Sequence, residues 1–432
     1  MKRKIPVYVL LLSFALSILL CWALMWAVWN QLSGGRKLGN IGATLVDVAK
    51  MPNKWLEHAS ISTPLQEVNK NNQTEEFVTS AGCADSGYVL ITGFAKDVQQ
   101  TVIKLFSLRE HKAILTWKPD LNALKKLPRR PSSFLKPDAF DNTLFRTQHP
   151  WLTADSGIII KGEYGIIKLN KHSEVEWFVD GQFHHPTEED VDGNFWMGAI
   201  VNPTKQDSNL YHELRDDALA KVSPTGKVLY LKSITELLIE NGYKYLIAGT
   251  GVYEPDVIHL NDIQPVLQNG PYWQRGDVFI SLRNKSTLLL FRPSTNKVIW
   301  LQTGPWMNQH DISIVDSTHI GVLNNRVVRD GRAFTMTSTN NNWFIYNFKD
   351  HSIDTPYTEF FMQNHVATKT EGRVSLMPNG DIVVEETNYG RLMRGNNTGL
   401  CWSYVNVLDE KNVGIMGWSR YYTTLPWQKS IK

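Results

Sequence analysis

Three short stretches of this chain hold the residue types needed to move an anionic group from one oxygen to another. The first, DVIHLNDI (256–263), sets His259 and Asn261 two positions apart. In a strand that spacing puts both side chains on one face, and Asp256 or Asp262 is near enough in sequence to orient the imidazole. The second, Ser281-Leu282-Arg283, ends the next apolar run on a guanidinium fork suited to a tetrahedral oxyanion. The third, NQHDISI (308–314), holds His310 between Gln309 and Asp311 where an alternating strand begins. Imidazole with its ordinary pKa of ~6.5 is neutral near pH 7, so it can attack as a nucleophile or accept a proton. An anionic ester held by Arg283, Asn261 and His259, with His310 beside it, would form a competent transfer site. For any one of these histidines the plain alternative is a polar residue that lines a channel and holds water.

The elements that must bring these residues together are short and β-rich. Six units follow one pattern along the chain: a strand opening near a histidine, a Gly or Asp turn, a second strand, then two more. They begin at residue 76, His149, His184-His185, His259, His310 and His365. Four strands per 40–50 residues is the period of a propeller blade. Asp192-Gly193-Asn194, Pro224-Thr225-Gly226 and Pro378-Asn379-Gly380-Asp381 supply turn chemistry between strands. The reading is an all-β, six-bladed β-propeller, and long amphipathic segments that would argue for a parallel α/β fold are missing. In a propeller the first strand of each blade lines the central channel. His149, His185, His259, His310 and His365 would therefore ring one channel mouth. Insertions at 118–148 and 232–258 interrupt the repeat, and the second holds a helix (233–241) with Tyr243, Tyr245 and Tyr253 as candidate wall residues. Lys125, Lys126, Arg129 and Arg130 read as a solvated loop.

The chain has 432 residues, a net charge of +3 and 20% charged residues, which leaves no nucleic-acid footprint. The segment 5–29 contains no charge. Roughly 20 apolar residues cross a bilayer, so this run suffices as a transmembrane helix. A cleaved signal has an apolar stretch of only ~7–15 residues and a small-residue cut site, which this run does not offer. We read residues 1–30 as an uncleaved signal anchor, 31–75 as a tether with a short helix (43–59), and 76–432 as the propeller. Lys2, Arg3 and Lys4 favour a cytoplasmic N-terminus. The chain is then a single-pass protein of the inner membrane with its propeller in the periplasm or otherwise outside the cytoplasm. Cys21 falls in the span, and Cys83 and Cys401 could pair in an oxidising compartment or remain buried thiols.

The ordered set DVIHLNDI, GDVFISLRNKS, KVIWLQTGPW, NQHD and GVLNN resembles the bacterial arylsulfotransferases that work without PAPS, over roughly residues 150–400. The resemblance implies a six-bladed propeller that moves a sulfuryl group from a phenolic sulfate ester to another phenol through a transiently sulfated histidine, with ping-pong kinetics and no cofactor or metal. By motif it makes His310 the sulfated residue, with His259, Asn261 and Arg283 around it and His185 as the earlier channel histidine. His365 has no family counterpart and stands as the fallback nucleophile, while Gln309 and Asp311 would hold the His310 imidazole. Implied partners are an aryl sulfate donor and a phenolic or glycan hydroxyl acceptor. Two departures stand out. The family's His-His-Asp reads His184-His185-Pro186, and an N-terminal anchor and tether replace a β-sandwich. A non-enzymatic tethered propeller that binds a glycan or protein in its channel is the alternative. A metal site on the histidine ring is disfavoured by the Arg283 guanidinium.

Overall fold

Runs such as Ile158–Gly162 (IIIKG) and Val278–Leu282 (VFISL) are buried on both faces, as expected of strands packed between neighbouring sheets. Outer strands such as Lys297–Thr303 alternate instead between exposed and partly buried positions. The computed structural model describes residues 6–32, 41–42, 44–46, 48–49, 65–70, 73–129, 140–162, 164–201, 214–250, 255–330 and 333–429. The chain forms two units, Met1–Pro64 and Leu65–Lys432. In the first, helix Val7–Leu32 is long and apolar enough over Val7–Gln31 to cross a membrane. Most of the helix expected at 43–59 lies outside the described residues.

The second unit is a propeller of six antiparallel sheets. Blades two to five open on inner strands Trp151–Leu152, Gln182–Glu189, Leu260–Pro265 and His310–Ile314. Turn residues fall where expected, with Gly193, Gly226 and Gly380 all at left-handed φ (76°, 82° and 84°). The first and last repeat units differ from the linear reading. Blade one takes its inner strand, Arg420–Tyr422, from late in the chain, and it pairs with Tyr88–Ala95. Phe77–Thr79, assigned to the first unit, is the outermost strand of blade six, paired with Gly399–Val405. The inner strand of blade six is Arg373–Leu376, not a segment opening at His365. Gln66–Val68 also belongs to this unit, pairing with Asn412–Gly414. The ring is thus closed twice, once on its inner and once on its outer circumference.

The insertions carry their own structure. Asp120 caps helix Leu121–Lys125, its Oδ1 accepting from the N–H groups of Asn122 and Ala123. Arg129 is not the solvated residue expected, since its guanidinium packs 4.7 Å from the Phe140 ring and 4.9 Å from Phe178. Lys125 and Lys126 are exposed, and Arg130 lies outside the described residues. Ser233 caps helix Ile234–Glu240, which buries Ile234, Leu237 and Leu238 in the core of blades three and four. Tyr243 packs against that core and Tyr245 is half-exposed.

Cys83 and Cys401 are disulfide-bonded across 318 residues of sequence, beside the outer closure. A crosslink over so long a loop chiefly restricts the unfolded chain. Cys401→Ser should therefore lower unfolding stability by about 2–5 kcal/mol. A urea titration would read this as a lower midpoint that reducing agent no longer changes.

Candidate active site

Four of the six inner strands begin one or two residues after a non-glycine residue at left-handed φ, and the strands of blades three and five each contain one. These are His149 (51°), His185 (56°), His259 (53°), Asp311 (53°), Glu371 (61°) and Trp418 (59°). Such a conformation costs about 1–3 kcal/mol per residue, and it recurs where function requires it. The ladders are irregular at the same level, between His184 and Thr187, Leu260 and Asp262, and His310 and Ile312. Bulges of this kind re-aim side chains next to active sites. The outcome is a cluster of rings from five blades. The His185 ring centroid lies 5.0 Å from that of His259, and Trp418 lies 5.2 Å from His149, 6.4 Å from His185 and 6.4 Å from His310.

Hydrogen bonds fix where the ring protons sit. His259 Nδ1 lies 2.6 Å from Asp256 Oδ2, so Nδ1–H donates and Nε2 is bare, buried and without a partner among the described residues. His310 Nδ1 lies 2.8 Å from Asn325 Oδ1. The Asn325 amide nitrogen donates to the carbonyls of Thr368 and Glu371, which leaves its oxygen as acceptor. His310 therefore also holds its proton on Nδ1, and its Nε2 accepts the Glu371 backbone N–H at 3.1 Å. Burial pushes His185, His259 and His310 toward the neutral form. His259 is brought down to about 4 by burial and by Arg283, against the opposing pull of Asp256. His310 lies well below the usual range through burial and Arg283. His185 is likewise low through burial and its neighbours His184, His259, His310 and Arg283. Asp256 is pushed up by burial but held below the carboxylate range by His259, Arg215 and Arg283.

Arg283 supplies the positive charge. Its Nε donates to Asn284 Oδ1 at 3.1 Å, and among the described residues its two terminal nitrogens make no hydrogen bond. Burial lowers it to about 10, so it stays cationic at neutral pH. Over it lies the ring of Phe334, 5.2 Å away. Phe334 belongs to a hairpin, Val327–Asp330 with Ala333–Met336, inserted into blade five. In the sequence, the Asp330-Gly331 dipeptide between alternating residues is a hairpin signal that the repeat-based reading passed over.

Other expected site residues do different work. Asn261 Nδ2 donates to the Gln309 carbonyl at 2.6 Å, which braces blade four against blade five. Gln309 Nε2 donates to Ser281 Oγ and the Thr287 carbonyl, away from His310. Asp311 accepts from Val374 N–H at 2.8 Å and faces Arg373, so Asn325 and Glu371 hold the His310 ring instead. His365 does not join the cluster, because it is exposed in the turn after helix Thr358–Gln363. Tyr253 lies outside the described residues. His149 is absorbed beside the site: its Nδ1 accepts Thr187 N–H, and its Nε2 is 3.4 Å from Glu188 in a buried cluster with Arg373 and Arg420. Trp418, Asn325, Glu371 and the hairpin were not singled out from sequence. Among the described residues, no group of three His, Cys, Asp or Glu side chains is arranged to hold a metal ion.

The pH behaviour of His259 follows from these contacts. Its resonances in a histidine-resolved NMR titration should report a neutral ring until about pH 4. Asp256 favours the charged ring, so Asp256→Asn should move that midpoint lower still, and an ordinary midpoint near 6.5 in either form would contradict the burial described above.

Comparison with known proteins adds the family. No curated protein matches the sequence. Among solved structures, a protein of unknown function from Bacteroides caccae is 10% identical, with a TM-score of 0.48 over 78% of this chain and 99% of that one. A functionally unknown protein from Desulfotomaculum acetoxidans is 9% identical, with a TM-score of 0.39 over 77% and 99%. Virginiamycin B lyase from Staphylococcus aureus is 10% identical, with a TM-score of 0.33 over 61% and 71%. The arylsulfotransferase (ASST) family model matches residues 161–406, more than half the chain and the stretch that carries His185, His259, Arg283 and His310. The chain thus belongs to the arylsulfotransferase family.

Proposed function

We propose that this propeller moves a sulfuryl group from an aryl sulfate to a phenolic or glycan hydroxyl, with His310 as the transient carrier. The observation that supports it is three neutral imidazoles, two with their ring protons placed, beside one cationic guanidinium whose terminal nitrogens make no hydrogen bond among the described residues. In the first half-reaction the S–O(aryl) bond breaks as an S–N bond forms to His310 Nε2. Such transfers pass through a loose transition state, so positioning and charge account for most of the rate. Arg283 grips the sulfuryl oxygens, and the Glu371 N–H, now on Nε2, is left to donate to one of them. The aryl group departs as phenolate, a modest leaving group with a pKa of ~10. His259 holds its only proton toward Asp256 and cannot give it from Nε2, so the phenolate takes its proton from water. In the second half-reaction the acceptor oxygen attacks sulfur, the S–N bond breaks, and a bare imidazole nitrogen takes the hydroxyl proton. The helix Val7–Leu32 would hold this chemistry at a membrane, with the propeller outside the cytoplasm, a placement supported by Lys2, Arg3 and Lys4 ahead of it.

A second assignment has its own support, because His259 Nε2 has no partner among the described residues whereas His310 Nε2 must release the Glu371 N–H. Intact-protein mass spectrometry after brief incubation with 4-nitrophenyl sulfate and no acceptor separates the two. A gain of one sulfuryl group is expected, absent in His310→Ala and retained, though slower, in His259→Ala. The opposite pattern moves the carrier to His259, and no adduct together with no turnover on added phenol moves the chain to the binding-propeller reading. Arg283→Met should reduce kcat/KM by on the order of 10²–10³-fold, the scale of losing one pre-placed charge donor. Phe334→Ala should act mainly on KM for the donor in the same assay.

A further inference from the structure

His185 is followed by Pro186, where the family motif places a carboxylate, so no carboxylate adjacent in sequence orients its ring. The structure provides an orienting group by another route. His185 Nδ1 lies 2.8 Å from His184 Nδ1, with the two rings edge to face at 4.9 Å. One nitrogen must donate and the other accept. The far side of His184 decides which: its Nε2 lies 3.2 Å from the Ala199 carbonyl and 3.3 Å from Asp217 Oδ1. Both are pure acceptors, since burial opposes ionisation of Asp217 but Arg215 and His184 hold it ionised. The His184 proton therefore sits on Nε2, its Nδ1 is a lone pair, and His185 must donate Nδ1–H. That leaves His185 Nε2 bare.

The backbone is shaped for this contact. His184 pairs with Gly198, where an added Cβ would come within 2.7 Å of His184 Cε1 and 2.8 Å of Nδ1. Only glycine lets the ring lie against the strand. Asp217 has a second duty, accepting Leu260 N–H at 2.6 Å, so it is anchored in the next blade and cannot swing away.

We propose that Ala199, Asp217 and His184 form a positioning relay that fixes His185 in the Nδ1–H form, so that its Nε2 takes the acceptor hydroxyl proton as the new O–S bond forms and the S–N bond to the carrier breaks. This rests on the sulfuryl-transfer reading above for its chemistry, though the ring geometry stands without it. His184 and Asp217 touch no substrate in this scheme. The imidazolium formed on His185 keeps its Nδ1–H bond to His184, and its extra proton leaves to water.

The 432-residue chain with isotopically labelled histidine tests this directly. Ring-nitrogen shifts of wild type should give His185 as Nδ1–H with a bare Nε2. His184→Leu removes the acceptor and should convert His185 to Nε2–H or a mixture. His184→Asn keeps an acceptor oxygen near the Nδ1 position and should restore the wild-type form. In rapid-mixing assays with 4-nitrophenyl sulfate and phenol, His184→Leu should leave adduct formation within about twofold but slow its discharge by on the order of 10²-fold, the usual weight of a general base. The sulfated protein would then accumulate. His184→Asn should recover most of that rate, and Gly198→Ala, which displaces the ring without altering its chemistry, should behave like His184→Leu. A wild-type His185 protonated on Nε2, or equal loss from both half-reactions, overturns the relay. Absence of any adduct in wild type defeats the transfer reading while the ring-nitrogen shifts still decide the relay.

Discussion

A propeller must answer one question at every junction: which group accepts the hydrogen bond from the inner strand of the next blade, so close to the axis? In this chain a buried side chain of the preceding blade does so at five of six junctions. His149 takes Thr187 N–H, Asp217 takes Leu260, Asp262 takes Ile312, Asp311 takes Val374, and Glu385 takes Trp418 and Ser419. All five acceptors are at most a few per cent exposed. Losing such an acceptor leaves a buried donor unpaired, a penalty of about 1–3 kcal/mol. Burial makes two of the carboxylates reluctant to ionise: Asp262 is pushed well up, and Asp311 rises to about 6 despite Arg373. Arg373 and Arg420, paired with Glu188 and Asp311, keep this axial cluster compensated.

The candidate site is a by-product of that arrangement. The same turn of backbone that delivers an acceptor to the neighbouring blade delivers an imidazole or indole to the axis. Asp217 joins the two duties in one residue, and His149 has been taken wholly into the structural network. With positive charge concentrated on Arg283 and His185, His259 and His310 pushed toward the neutral form by burial, the site combines lone pairs with one cation. A water-excluded cluster of this kind makes each such contact stronger than it would be in solvent.

Much of this was legible from residues alone. Six units of turn-punctuated strands imply six blades, and inner-strand histidines imply convergence on one axis, where the His185 and His259 rings lie together and Trp418 lies near His185 and His310. The misreadings have physical causes. Period-two alternation placed Asn261 with His259 and set Gln309 and Asp311 around His310, but left-handed residues and bulges reset the alternation at those points. His365 fitted a repeat counted along the chain, whereas the sixth inner strand starts only at Arg373. Trp418 and Asn325 carry no local signature, since a tryptophan before a short strand and an asparagine after one are ordinary until the ring is closed. The orienting carboxylate for His185 lies 32 residues downstream, two strands across its own sheet.

The inner closure has one consequence for how this protein comes into being. Because Trp418 and the strand Arg420–Tyr422 complete both the first blade and the ring cluster, a nascent chain that has emerged only as far as Val405 holds every histidine and Arg283 yet lacks the indole of that cluster. Synthesis is vectorial, and the last segment to emerge is the one that seats the site. The ring cluster is thereby left open until the circle is joined, and a molecule clipped before Trp418 would lose the indole of the cluster and the inner latch of blade one in a single event.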